Sequence, residues 1–322
     1  MKYPSSGDPG AGPNYGDRMR YGTMSSTIND GTIAQVVAEA QQAADDGMHS
    51  FWAPQIFGHD TLTVLALVGQ LVPGIELGTA VVPTYPRHPM MMAQQALTVQ
   101  AATGGRLALG IGLSHQVVVE MLWGMSYAKP VRHIREYLSV LMPLLEGNPV
   151  GFSGEEYKVQ GAITVAGSSR PSVLVAALGT QMLNVTGRLA DGTSTWCTGV
   201  NTLRTHIVPV ISEAAAEAGR PSPRIVAAFP ICVTDDVDAA RVRAAKVFAV
   251  YTNLPSYRAM MDLEGVADPS GLAIVGTEAE VRDQLAEVAA AGVTDVNAGI
   301  FAGNPDEADR TRAVLRDLAK GA

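Results

Sequence analysis

From Arg20 onward the chain alternates short apolar, strand-like runs with longer segments of helical periodicity, with few residues between them. Repeated βα units produce that order, because a parallel strand pair needs a crossover and a helix supplies it. Eight units can be counted. The strands are expected at Arg20–Ser25, His49–Ala53, Ile75–Val82, the run from Arg106 to Gly112, Val173–Ala177, Gly192–Trp196, Ile225–Val233 and Thr294–Phe301. The predicted fold class is α/β, a (β/α)8 TIM barrel; an open doubly wound sheet is the competing arrangement.

Local punctuation supports the count. Thr32 and Gln35 have capping-box spacing at the head of the first helix, and Gly47 ends it. Pro73-Gly74 stops a helix from Asp60 to Val72, and Pro89 opens the next. The rhythm breaks between Gln116 and Gly167, where a short helix, a longer one from Pro130 and hairpin-like alternation are read as an insertion after strand four. Residues 1–18 are rich in Pro, Gly, Ser and Asp and are read as a loose extension, with Met19 as a candidate start and residues 19–322 as a single barrel domain.

Composition narrows the function. A net charge of -8 with scattered basic residues gives no electrostatic footprint for nucleic acid or anionic lipid, so the expected partner is a small-molecule substrate. No apolar run reaches the roughly 18 to 20 residues of a spanning helix, and no signal-peptide pattern opens the chain. The two cysteines, Cys197 and Cys232, lack CxxC spacing, which together with the missing leader points to a cytoplasmic protein without disulfides. Neither HExxH nor a Cys/His cluster is present, so no metal site is expected, and Gly-x-Ser-x-Gly is absent.

In a barrel of this kind the site lies at the C-terminal strand ends. That filter selects Gln55 and His59 after strand two, Ala80 to His88 after strand three, Gly112, Leu113, Ser114 and His115 after strand four, and Ala177, Leu178, Gly179, Thr180 and Gln181 after strand five. It also selects Trp196 at the end of strand six. Ala176-Ala177-Leu178-Gly179-Thr180-Gln181 opens a helix at a strand end, so its free N–H groups and dipole suit an anion, although a routine turn with a Thr cap explains the same residues. Gly110-Ile111-Gly112-Leu113-Ser114-His115 is not a dinucleotide fingerprint; its glycines either let a flat ring approach the backbone or simply make a tight turn.

The segments Leu77-Gly78-Thr79-Ala80-Val81-Val82-Pro83-Thr84-Tyr85-Pro86-Arg87-His88-Pro89, Gly104-Gly105-Arg106-Leu107-Ala108-Leu109-Gly110-Ile111-Gly112, Val275-Gly276-Thr277 and Ala291-Gly292-Val293-Thr294-Asp295 together resemble the luciferase-like monooxygenase superfamily, within it the coenzyme F420-dependent class. The resemblance implies a non-proline cis peptide at Ala80-Val81 backing the cofactor ring. It further implies that Gly112 to His115 border the ring, that Ala177 to Gln181 hold its phosphate-bearing tail, and that the protein is a homodimer. Where many deazaflavin relatives carry an acidic-histidine pair and a carboxylate, this chain has Pro54-Gln55 and His115. His115 and His59 are therefore the expected proton-transfer residues, Gln55 a cofactor contact, and His88 and Trp196 substrate contacts. The expected activity is hydride transfer between coenzyme F420 and a small organic substrate. The alternatives are an FMN-dependent monooxygenase and a non-catalytic flavin- or deazaflavin-binding protein.

Overall fold

In the computed structural model, which describes residues 18–321, eight parallel strands pair in sequence order and close on themselves. They are β1 (Arg20–Met24), β2 (Ser50–Ala53), β3 (Glu76–Thr79), β4 (Leu107–Gly112), β5 (Ser172–Val175), β6 (Gly192–Trp196), β7 (Arg224–Val233) and β8 (Asp295–Ile300). Closure is made where β1 pairs with β8, Gly22 opposite Asn297, which excludes the open doubly wound sheet. The expected N-terminal extension lies outside the described residues except for Arg18, whose guanidinium donates to the Gly321 carbonyl at 2.8 Å.

The helices begin where the sequence places caps. Thr32 and Gln35 close a capping box on α1 (Ile33–Asp45), and the Asp60 carboxylate accepts the Thr63 N–H at 2.9 Å to open α2 (Thr61–Leu71). The ring continues with α3 (Pro89–Ala102), α4 (Pro130–Leu145), α5 (Thr180–Leu189) and α6 (Val208–Glu217). After β7 come α7 (Val237–Val247) and α8 (Pro255–Glu264), then α9 (Glu278–Ala290) and α10 (Pro305–Gly321).

Three details depart from the sequence expectation. The added material after β4 is smaller than the span from Gln116 to Gly167, because α4 packs between α3 and α5 as a regular member of the ring. Its buried Ile134, Leu138, Leu141 and Leu145 form the face turned to the barrel. What is added is the loop before α4 and an antiparallel hairpin, Val150–Ser153 with Lys158–Gly161. The Glu136 carboxylate of α4 pins its tip by accepting the N–H groups of Glu155, Glu156 and Tyr157 at 2.8–3.1 Å. Second, β3 stops at Thr79 and resumes as Val82–Pro83. Third, an extra strand, Ile274–Gly276, pairs with the end of β7, which at ten residues outruns its neighbours.

Strand alternation sends one set of side chains outward under the helices and the other into the lumen. Trp52, Ala108, Leu174 and Val226 fill the lumen as a separate apolar cluster. Gly78 makes room for Trp52, since a Cβ there would lie 2.0 Å from the indole. Below them the barrel is closed by charge. The fully buried Arg224 donates to both Glu76 oxygens at 2.9 and 2.6 Å and to both Asp295 oxygens at 2.7 and 3.1 Å. Burial alone would raise the Asp295 carboxyl, but the Arg224 charge wins and holds it below the ordinary carboxylate range. With its lower end plugged in this way, the barrel can admit a ligand from the strand C-termini.

Candidate active site

The wall of the mouth at β3 and β4 is built by close backbone contact. The Ala80-Val81 peptide is cis, as the resemblance implies, and lies in the gap between the two pieces of the third strand. The Thr79 hydroxyl donates to the Gly110 carbonyl at 2.6 Å and accepts the Gly110 N–H at 2.8 Å, so one side chain replaces the ladder where the strand breaks. Gly110 and Gly112 are demanded by this geometry. A Cβ on Gly110 would lie 2.0 Å from the Thr79 carbonyl oxygen, and one on Gly112 would lie 2.7 Å from Val81 and 3.1 Å from Ala176. The lumen side of this wall is therefore Ala80 and Ala176, with the Val81 side chain lying against Gly110 and Gly112.

Beyond Gly112 the chain turns through Leu113 and Ser114, whose φ of 62° is left-handed; Cys197, just after β6, has φ 46°. These are the two non-glycine residues with positive φ among the described residues, and both sit at strand ends on the mouth. Such backbone costs on the order of 1–3 kcal/mol and concentrates at functional sites. It aims His115 at the mouth. The ring is half-buried and 6.0 Å from that of Tyr257, and burial pulls the imidazole below its ordinary pKa, favouring the neutral form.

After β5, Gly179 caps α5 without a side chain, and Gly179, Thr180 and Gln181 are exposed. The first N–H groups of α5 are thus open to an anion. The preceding Leu178 carbonyl is held by the His206 ring at 2.8 Å.

Across the barrel from β3 stands an aromatic wall that the sequence reading missed apart from Trp196. Trp196 meets Phe248 edge-on at 5.7 Å and Tyr251 at 6.2 Å, Tyr251 meets Tyr257 at 4.9 Å, and Phe248 meets Phe301 at 5.7 Å. Burial pushes the Tyr257 phenol well above its ordinary pKa, with Tyr251 and Cys197 adding to it, so it stays a hydrogen-bond donor. Asn297 of β8 was missed as well. It points into the lumen, like Asp295 two residues before it, is fully buried, and neither its Oδ1 nor its Nδ2 has a hydrogen-bond partner.

Other expected site residues are engaged locally. The Gln55 side-chain oxygen accepts the Thr61 N–H at 3.3 Å, and the His59 Nε2 lies 2.9 Å from the Gly31 carbonyl. His88 is exposed, accepts the Met90 N–H at 3.2 Å as the cap of α3, and turns an edge to Tyr157 of the hairpin. Trp52 is core: its indole N–H donates to the Ser50 hydroxyl at 2.8 Å.

Comparison with known proteins fits this geometry. The chain is 25% identical over 293 residues to a 5,10-methylenetetrahydromethanopterin reductase of Methanolobus tindarius, covering 89% of this chain and 88% of the relative. Among solved structures it superposes on the coenzyme F420-dependent tetrahydromethanopterin reductase of Methanopyrus kandleri with a TM-score of 0.77 at 22% identity, covering 94% of this chain and 97% of that one. The oxygenating constituent of 3,6-diketocamphane monooxygenase from Pseudomonas putida, in complex with FMN, gives a TM-score of 0.72 at 15% identity, covering 94% and 97%. The family model for luciferase-like monooxygenases matches residues 17–295, and the chain belongs to that family.

Proposed function

We propose that this protein is an oxidoreductase that binds coenzyme F420 across the barrel mouth and uses it on a small organic substrate. The observation that carries the reading is the pairing of two features on neighbouring strands. One is the surface of Ala80, Val81 and Ala176 over the two glycines, suited to a planar ring; the other is the open first turn of α5, suited to a phosphate. The orphaned Asn297 amide beneath the mouth adds a donor and an acceptor for a polar ring edge. Ala80, Val81, Gly112, Leu113 and Ser114 would hold the ring, and Ala177 to Gln181 the phosphate.

Bound there, the deazaflavin supplies a hydride donor or acceptor. The chain's residues do the rest. Trp196 and its aromatic neighbours exclude water and present flat faces to an apolar substrate. His115, neutral at physiological pH, is placed to take or return the proton that accompanies hydride transfer, and the Tyr257 phenol stands beside it as a donor. Because the His59 ring is tied to the Gly31 carbonyl, His115 is the stronger candidate of the two.

The similarity to methylenetetrahydromethanopterin reductases along most of the chain supports the deazaflavin over a flavin. The FMN-bound structural neighbour supports the second reading, an FMN-dependent monooxygenase. Fluorescence titration with each cofactor separates them: tight FMN binding without a response to F420 rejects the first. Turnover of a panel of carbonyl, enone and nitro compounds with reduced F420 separates an enzyme from a carrier.

A further inference from the structure

We propose that His133 is a positioning residue for the reaction: from the helix layer it holds both ends of the loop that carries His115. This rests on the reading above in which His115 moves the proton. The loop runs from Leu113 to Lys129, between β4 and α4, and turns through Ser114 in left-handed backbone that a non-glycine residue keeps only where its surroundings hold it. His133 is buried on α4, outside the barrel wall, so what it does for the site it does through its neighbours.

The start of the loop is held through Thr84. This fully buried residue follows the resumed third strand, and its N–H and hydroxyl both donate to the Gly112 carbonyl, at 2.8 and 3.2 Å. Its hydroxyl oxygen lies 2.9 Å from the His133 Nε2. Threonine has one hydroxyl proton, and with that proton given to Gly112 the imidazole must be the donor at Nε2. Nδ1 is then the acceptor, and the Tyr157 hydroxyl of the hairpin lies 3.4 Å from it. A relay thus runs from the hairpin through His133 and Thr84 to the end of β4, three residues short of His115.

The end of the loop rests on the same ring. Tyr85 lies face to face on His133, with centroids 4.0 Å apart and planes 9° from parallel, and Tyr127 stacks on Tyr85 at 5.6 Å. Packing alone would be served by a phenylalanine at position 133. A buried imidazole costs desolvation of two nitrogens, which is offset only if both are used.

The test begins with the full chain free of cofactor. Histidine 15N spectra across pH, assigned by the resonances lost in His115→Ala and His133→Gln, should show His133 as the Nε2–H tautomer and His115 titrating below 6.5, where burial holds it. Thr84→Val/His133→Phe replaces both partners of the buried bond by apolar groups of similar shape, stranding neither, and in it His115 should titrate closer to 6.5 as the loop loosens. With cofactor and a compound that the wild type turns over, this double variant should lose roughly 10- to 100-fold in kcat at nearly constant KM. His133→Gln, which can still donate to Thr84, should keep most of the activity, and the double variant should cost almost nothing further once His115 is Ala. An Nδ1–H tautomer of His133, an unchanged His115 titration in the double variant, or a loss of kcat that persists in full on the His115→Ala background overturns the inference. Absence of turnover with either cofactor overturns the functional reading instead, and the tautomer and titration still decide the inference.

Discussion

Replacing Asn297 by Leu tests whether the amide beneath the mouth is kept for a ligand. Asn297 is fully buried, and its donor and acceptor both lack partners. Burying a polar group unpaired costs about 1–3 kcal/mol, and replacement by an apolar group of similar shape removes that cost. Leucine has the same branched heavy-atom skeleton as asparagine, though bulkier, and would extend the lumen cluster of Trp52, Ala108, Leu174 and Val226. The cofactor-free variant should therefore be more stable by about 2 kcal/mol, read as a raised urea midpoint at unchanged slope. Its affinity for the cofactor should fall about five- to tenfold, the worth of one neutral hydrogen bond. A loss of about 2 kcal/mol in the cofactor-free protein would refute the reasoning, because it would mean that buried water satisfies the amide and that the residue is structural.

Other perturbations read other parts of the molecule. His133, buried against Thr84 at 2.9 Å, has its pKa pushed down from 6.5 to about 4 by burial, with Glu136 opposing. The unfolded chain therefore binds a proton that the folded chain refuses between those values, and stability falls as pH falls through that window. Between pH 7.5 and 4.5 this group alone should remove about 2.5 kcal/mol, and His133→Gln should flatten the urea midpoint across the same range. Arg224→Met should cost on the order of 3 kcal/mol, because it leaves Glu76 and Asp295 to share Arg20, 2.6 Å from Asp295 and 4.0 Å from Glu76, with Asp295→Asn recovering part of it in denaturant unfolding. His115→Ala should reduce kcat by roughly 10²–10⁴-fold with little change in cofactor affinity, and a loss of binding without a loss of kcat would move His115 from proton transfer to cofactor contact. Gly112→Val should abolish cofactor binding in titration, because even a Cβ there meets Val81 at 2.7 Å.

What the sequence made legible was set by neighbours a few residues away. Caps such as Thr32 with Gln35 and Thr277 with Glu280 write their own helix starts, and short apolar runs bounded by Gly and Pro write the strands. The break in β3 is different. Ile75 to Val82 reads as one strand despite Glu76, and nothing in its periodicity marks the interruption, which is made by Thr79 bonding to Gly110 thirty-one positions on. Only resemblance to a family located it. The fourth helix looked like part of an insertion because the loop from Leu113 to Lys129 separates it from its strand, and loop length says nothing of where a helix docks.

Residues assembled over long separations left weaker marks. Phe248, Tyr251 and Tyr257 lie more than fifty positions after Trp196, from the end of α7 through a short turn into α8, where nothing in their spacing marks a common wall. Asn297 had a usable signal. It shares strand parity with Asp295, so once one polar side chain of β8 faces the lumen the other must as well, and a polar residue one step nearer the mouth is where a ligand can meet it. In the same way, Arg132 and Arg135, three positions apart in the first turns of α4, fall on one side of a helix. Parity and period therefore locate polar groups that burial or charge makes costly unless something binds them, and such positions can be sought at strand ends and helix starts even where no motif is present.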